Sequence, residues 1–280
     1  MPDIVVHNSM GKKVFDNLRS EISSHINYDI FQFGVMAPDV YCYYRYFALP
    51  LRHGLNRRSS ILHNVRTGDF IIALAKRARN KDIFSYLSGV LCHYALDGSV
   101  HPYVNELEQS GEWSHTEIEK KLDQLELLKQ GKKISERSIS KELLPKYLPE
   151  KMKADMNAAY KEVYGWDNTW EQMKTSYRHM RQFTWIIEDP SGILCAAISN
   201  NLVKRFHPKF SGLSYRGNYP DSIDLSWFPS ANDKAVKDAV IYIDACYEYV
   251  ENRMSEKELR KVVGNRSYVT GEEIKDTPTY

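Results

Sequence analysis

Leu91-Cys92-His93-Tyr94-Ala95-Leu96-Asp97-Gly98-Ser99-Val100-His101, followed by Ser114-His115-Thr116-Glu117-Ile118-Glu119, carries the densest chemistry of this 280-residue chain. His93 and Asp97 are four apart, as are Asp97 and His101, and as are His115 and Glu119. On a helix, residues four apart share a face, one turn above each other. Imidazole and carboxylate on one helical face are what a helical scaffold needs to hold zinc or a similar divalent ion. Seven of the nine histidines lie within the first 115 residues, so the chemistry is concentrated at one end of the chain.

Working outward, the periodicity of apolar residues is that of helices, and strand signals are scarce. The spacing predicts a helix over residues 9–26, with Val14, Phe15, Leu18, Ile22 and Ile26 as its inner stripe. Thr67 or Asp69 is positioned to cap a second helix through Leu74 and Ala78, and Asp82 a third through Leu91 and Ala95. Gly98 and Pro102 predict that this third helix loosens just after Asp97. A charged helix is expected from Thr116 to Gln130, and further helices over 141–162, 168–188 and 231–254. Residues 207–230 read as a long proline-bearing loop, and the polar segment after Met254 as a tail that frays. The class is all-α, a multi-helix bundle. One domain over 1–280 is expected, with a metal-binding part at 1–130, a helical extension at 131–255 and a polar tail at 256–280.

Composition narrows the function. With 38 basic and 36 acidic residues the net charge is +2, which argues against a nucleic-acid partner. Cys42, Cys92, Cys195 and Cys246 form no C-x-x-C pair and no disulfide framework. No signal peptide and no apolar run of spanning length is visible, so a cytoplasmic location is expected. The chain has no H-E-x-x-H, no His-Asp dyad, no G-x-S-x-G, no phosphate loop, and only one E-x-x-H, from Glu112 to His115.

The ordered set His7, Pro38-Asp39, His63, His93-x-x-x-Asp97, His101 and His115-x-x-x-Glu119 resembles the bacterial zinc-dependent phospholipase C family, which is similar in fold and trinuclear zinc site to the S1/P1-type nucleases. The resemblance covers about residues 4–125 by motif. It implies one zinc held by Asp39, His63, His93 and Asp97, and a second by His101, His115 and Glu119. A third would be held by an early histidine, matching His7, by the bridging aspartate, matching Asp97, and by the processed amino terminus. This chain places Met1-Pro2 only six residues before His7, so that position is expected to be weak, empty or completed by another group such as Asp3.

Two to three zinc ions would activate water against a phosphodiester, with Asp39 as a ligand that also accepts the proton. The substrate is expected to be a lipid or small-molecule phosphoester. The aromatic run Tyr41-Cys42-Tyr43-Tyr44-Arg45-Tyr46-Phe47 is placed either to wall a cleft for a quaternary ammonium group or simply to pack helices. Two other readings remain open: a nuclease or phosphomonoesterase on the same trinuclear scaffold, and a non-enzymatic helical metal-binding protein.

Overall fold

In the computed structural model, residues 4–45, 57–132, 148–188 and 222–275, with Leu55 and Ile139, are described. Among them are eleven α-helices: α1 Ile4–Asn17, α2 Ser20–Ser23, α3 Tyr28–Val35, α4 Arg57–Asn64, α5 Thr67–Ala75, α6 Lys81–Gln109, α7 His115–Lys129, α8 Lys153–Tyr164, α9 Thr169–Ile187, α10 Phe228–Val250 and α11 Glu256–Val263. A 3₁₀ turn, Asp39–Tyr43, joins α3 toward α4. The only pairing of extended backbone among the described residues is an isolated bridge between Arg266 and Glu273. The all-α class is therefore observed.

The axis of the molecule is α6, a 29-residue helix buried over most of its length. Its start is set by Asn80, whose side chain accepts from the Asp82 N–H. Asp82, expected to be the cap, sits inside the first turn and pairs with Lys151 at 2.7 Å. The predicted loosening after Asp97 does not occur. Pro102 removes the N–H that would bond to the Gly98 carbonyl four residues back. The helix nevertheless continues to Gln109, and the C-terminal segment packs against that place: a Cβ on Gly271 would lie 2.3 Å from the Gly98 oxygen.

On the other side α6 packs most extensively against α3. Gly34 and Gly89 make that approach possible, since a Cβ on Gly34 would meet the Tyr86 oxygen, and one on Gly89 the Phe31 oxygen, each at 2.2 Å. The remaining helices surround this pair, with α10 along α6, and α1 and α7 closing one flank.

Several predicted boundaries move, for tertiary reasons. The first helix starts at Ile4 and stops at Asn17; its early amides, Val5 N–H and Val6 N–H, donate to the Asp123 carboxylate of α7 at 3.2 and 2.8 Å. Arg19 is extended and separates off α2. Neither Thr67 nor Asp69 caps α5: the Thr67 hydroxyl donates to the Arg266 carbonyl, and Asp69 pairs with Arg66 and Arg260. By contrast Ser114 and Glu117 form a full capping box at the start of α7. The helix expected over 141–162 is seen as α8 from Lys153, with 141–147 outside the described residues. The long loop expected after residue 206 lies outside them up to 221.

The tail was expected to fray; its described part, to residue 275, is ordered by specific contacts. Ser255 and Glu258 box the start of α11, and residues 264–275 then run back across α4, α5 and α6. Tyr268 in this segment is among the most deeply buried large side chains of the protein.

Candidate metal centre

Four helices and the 3₁₀ turn deliver ligand-type side chains to one place beside α6. His7 comes from α1, Asp39 from the 3₁₀ turn, His63 from α4, His93, Asp97 and His101 from three successive turns of α6, and His115 and Glu119 from the first turns of α7. All eight side chains predicted from the sequence are brought together, and seven of them are buried. His115, the eighth, is 24% exposed in its side chain and marks the edge that faces solvent.

The spacing separates two groups. In the first, His63 Nε2 is 3.2 Å from Asp39 Oδ1 and 3.4 Å from Asp97 Oδ2. His93 Nε2 is 3.0 Å from Asp97 Oδ2 and 3.8 Å from Asp39 Oδ2. The other Asp97 oxygen, Oδ1, is 3.3 Å from His7 Nε2, and the His7 and His93 rings stack with centroids 4.2 Å apart. In the second group, Glu119 Oε1 is 2.8 Å from His115 Nε2 and 3.4 Å from His101 Nε2. Three triads have ligand atoms within 4.8 Å of one another: His7, His93 and Asp97; Asp39, His63 and His93; and His101, His115 and Glu119. The first two share His93, whose single Nε2 lone pair serves one ion only. Asp97, with an oxygen toward each, is the group able to bridge.

These distances suit an ion better than direct hydrogen bonds. Two donors each about 2.0–2.1 Å from a tetrahedral zinc lie about 3.3 Å apart. A charged N–H···O contact would instead close to about 2.7–2.9 Å. Only the His115–Glu119 contact falls in that range. His93 Nε2, His101 Nε2, both His7 ring nitrogens, Asp39 Oδ1 and both Asp97 oxygens are buried without a hydrogen bond of proper geometry. Buried polar atoms rarely go without one.

The opposite edges of the rings are tied to backbone. His93 Nδ1–H donates to the Val35 carbonyl at 2.9 Å, His63 Nδ1–H to the Ser59 carbonyl at 2.6 Å, and His101 Nδ1–H to the Tyr268 carbonyl at 2.9 Å. A carbonyl can only accept, so each bond fixes the tautomer and leaves Nε2 as the ligand atom. None of these three acceptors was found from the sequence. Val35 reaches His93 through the close α3–α6 approach. Ser59 is four residues before His63, a spacing that was readable. Tyr268 carries no signal at all, since any residue has a carbonyl.

The electrostatics follow from this geometry. Burial works against charge on the Asp97 and Asp39 carboxyls, but the imidazoles around them more than offset it and hold both below the ordinary carboxylate range. His63 loses from burial as well, yet its contacts with Asp39 and Asp97 raise it to about 10.

Other sequence candidates fall elsewhere. Tyr41 and Tyr43 are buried in the core against Tyr160 and Phe183, so they offer no face to a head group. Tyr46, Phe47 and His53 lie outside the described residues. His25 bonds to the Glu21 carbonyl on its own turn. Cys92 and Cys246 are buried free thiols. Among the described residues no helix is long and apolar enough to cross a membrane.

A family model described as zinc dependent phospholipase C matches residues 6–168, more than half of the chain. Searches of curated proteins and of solved structures return no match.

Proposed function

The chain belongs to the zinc-dependent phospholipase C family, and we propose that its own activity is hydrolysis of a phosphodiester at the eight-residue centre, with a phospholipid or related head-group ester as substrate. One observation carries this: eight imidazole and carboxyl groups from five separate elements converge at ligand-to-ligand spacing, and buried atoms of His7, Asp39, His93, Asp97 and His101 among them lack a hydrogen bond of proper geometry. A merely structural cluster would be expected to close those contacts into hydrogen bonds.

In this reading Asp39, His63, His93 and Asp97 hold one ion and His101, His115 and Glu119 a second. His7 and the free side of Asp97 face a third position. Bound zinc supplies the Lewis acidity, withdrawing charge from phosphoryl oxygens and acidifying water toward a pKa of ~7. The Asp39 carboxylate stays ionised beside His63 and His93 and is the proton acceptor. The water oxygen forms a bond to phosphorus while the bond from phosphorus to the ester oxygen breaks. Asp39 takes the water's proton and later returns it to solvent, the departing ester oxygen takes a proton from solvent, and the products are an alcohol and a phosphomonoester. His115, at the exposed edge, marks the side from which substrate enters. No nucleophilic side chain is required.

The test compares hydrolysis of a chromogenic phosphocholine ester, a nucleotide diester and a simple phosphomonoester by the same preparation, with and without a chelator. The expected result is preference for the phosphocholine ester, lost on chelation and restored by zinc. Hydrolysis that survives chelation would overturn the metal reading, and preference for the nucleotide or the monoester would move the assignment to the corresponding alternative.

A further inference from the structure

We propose that the C-terminal segment 264–275 is a positioning strap for the metal centre, in which the Tyr268 backbone carbonyl fixes the orientation of His101. The inference rests on the reading of the centre as a zinc site. It concerns a part of the chain that lies beyond the family match at 6–168.

The strap is bonded along its length. Gly68 N–H donates to the Asn265 side chain at 3.0 Å, and Thr67 Oγ1 to the Arg266 carbonyl at 2.8 Å. Tyr94 Oη donates to the Val263 carbonyl and accepts from Arg266 N–H. Ser267 Oγ donates to Asn64 Oδ1, and Asn105 Nδ2 to the Val269 carbonyl, both at 2.8 Å. Gly271, at φ +70°, lies against the Gly98 carbonyl that Pro102 leaves without its intrahelical donor. These contacts seat Tyr268 between the two ligand groups. Its N–H donates to the His63 carbonyl at 2.8 Å, its ring packs edge-on to His63 at 5.2 Å, and its carbonyl accepts from His101 Nδ1–H.

The two groups depend on the strap unequally. His63 and His93 take their ring orientation from carbonyls within α4 and α3, so they keep it if the strap leaves. His101 takes its orientation from Tyr268. Outer partners of this kind are worth about 10–100-fold in metal affinity. Loss of the strap should therefore weaken the ion at His101, His115 and Glu119 selectively.

The test uses the full chain. Gly271→Ala adds a Cβ 2.3 Å from the Gly98 oxygen at a backbone angle unsuited to alanine, and lifts the strap. Asn105→Ala removes one side-chain anchor and serves as the milder variant. Tyr268→Phe keeps both the ring and the carbonyl. Zinc is titrated against a competing chromophoric chelator, metal-free thermal unfolding is recorded, and the His101 tautomer is read from ¹⁵N-imidazole spectra of the metal-free protein. The expected result is one site weakened about 10–100-fold in Gly271→Ala and less in Asn105→Ala, the other sites within about twofold, and Tyr268→Phe like wild type. The wild-type spectrum should show the proton on Nδ1, and the Gly271→Ala spectrum a mixture. Wild-type affinity at every site in both strap variants would overturn the proposal. So would weakening of all sites together, in step with lost stability, which marks a structural role alone. A wild-type protein that takes up no zinc would instead overturn the zinc reading beneath it.

Discussion

Gly89→Ala tests how the fold builds the centre, although Gly89 touches no ligand. An alanine Cβ there would lie 2.2 Å from the Phe31 oxygen, 2.5 Å from Val35 N and 2.7 Å from the Gly34 carbonyl carbon. All three are backbone atoms, so no side chain can rotate away. Relieving the shortest contact to about 3.2 Å requires α3 and α6 to part by roughly 1 Å, taking van der Waals separation as the target. The Val35 carbonyl moves with α3, and its 2.9 Å bond from His93 Nδ1–H then stretches to about 3.9 Å, beyond hydrogen-bonding range. Overpacking costs about 1–3 kcal/mol, and loss of this one buried hydrogen bond costs about 1–3 kcal/mol more. The better helix propensity of alanine returns about 1 kcal/mol. The net expectation is a loss of about 1–5 kcal/mol in urea unfolding of the metal-free protein, from the same terms. Zinc affinity at the His63–His93 group should also fall about 10–100-fold, because His93 loses the partner that orients it. Gly89→Ala with wild-type stability and wild-type zinc affinity would refute the claim that the α3–α6 approach positions His93.

Asp97→Asn should leave the chain folded but holding fewer ions, with the His101–His115–Glu119 ion retained; metal content by mass spectrometry checks this, and unchanged stoichiometry would remove Asp97 from the bridging role. Zinc uptake at pH 7 should release at least about one proton per chain, because metal-free His63, raised to about 10, must give up its proton to become a ligand. Calorimetry in buffers of different ionisation enthalpy measures that release, and its absence would contradict the protonated state. The same raised pKa stabilises the metal-free fold fully below pH ~6.5 and is lost as pH rises through about 10. Metal-free melting temperature should accordingly fall across that window, and zinc-loaded protein should not show this contribution.

Much of the centre was legible because its spacing is local. His93, Asp97 and His101 share a face of α6 by the arithmetic of one helix, and His115 and Glu119 share a face of α7. Asp39, His63 and His7 could be added only by their order along the chain, through a family resemblance. The misread ends have two different causes. Asn80 outranked Asp82 as a cap within a single turn, whereas α1 takes its capping carboxylate from Asp123, more than a hundred residues away. Gly98 and Pro102 are correct signals of a weak point in α6. The strap that covers it lies more than 160 residues further on, and no local pattern reports it.

The sequence by itself determined the helical class and, in α6 and α7, the side chains able to hold an ion, because both follow from residue type and a period of 3.6; His7, Asp39 and His63 came from the family resemblance. Only the tertiary structure decided which nitrogen of each imidazole faces the centre, how closely α3 and α6 approach, and that a segment read as loose closes over the site. Those features are set by backbone carbonyls and by close contacts between distant segments, so the local order of the amino acids reports them only in part.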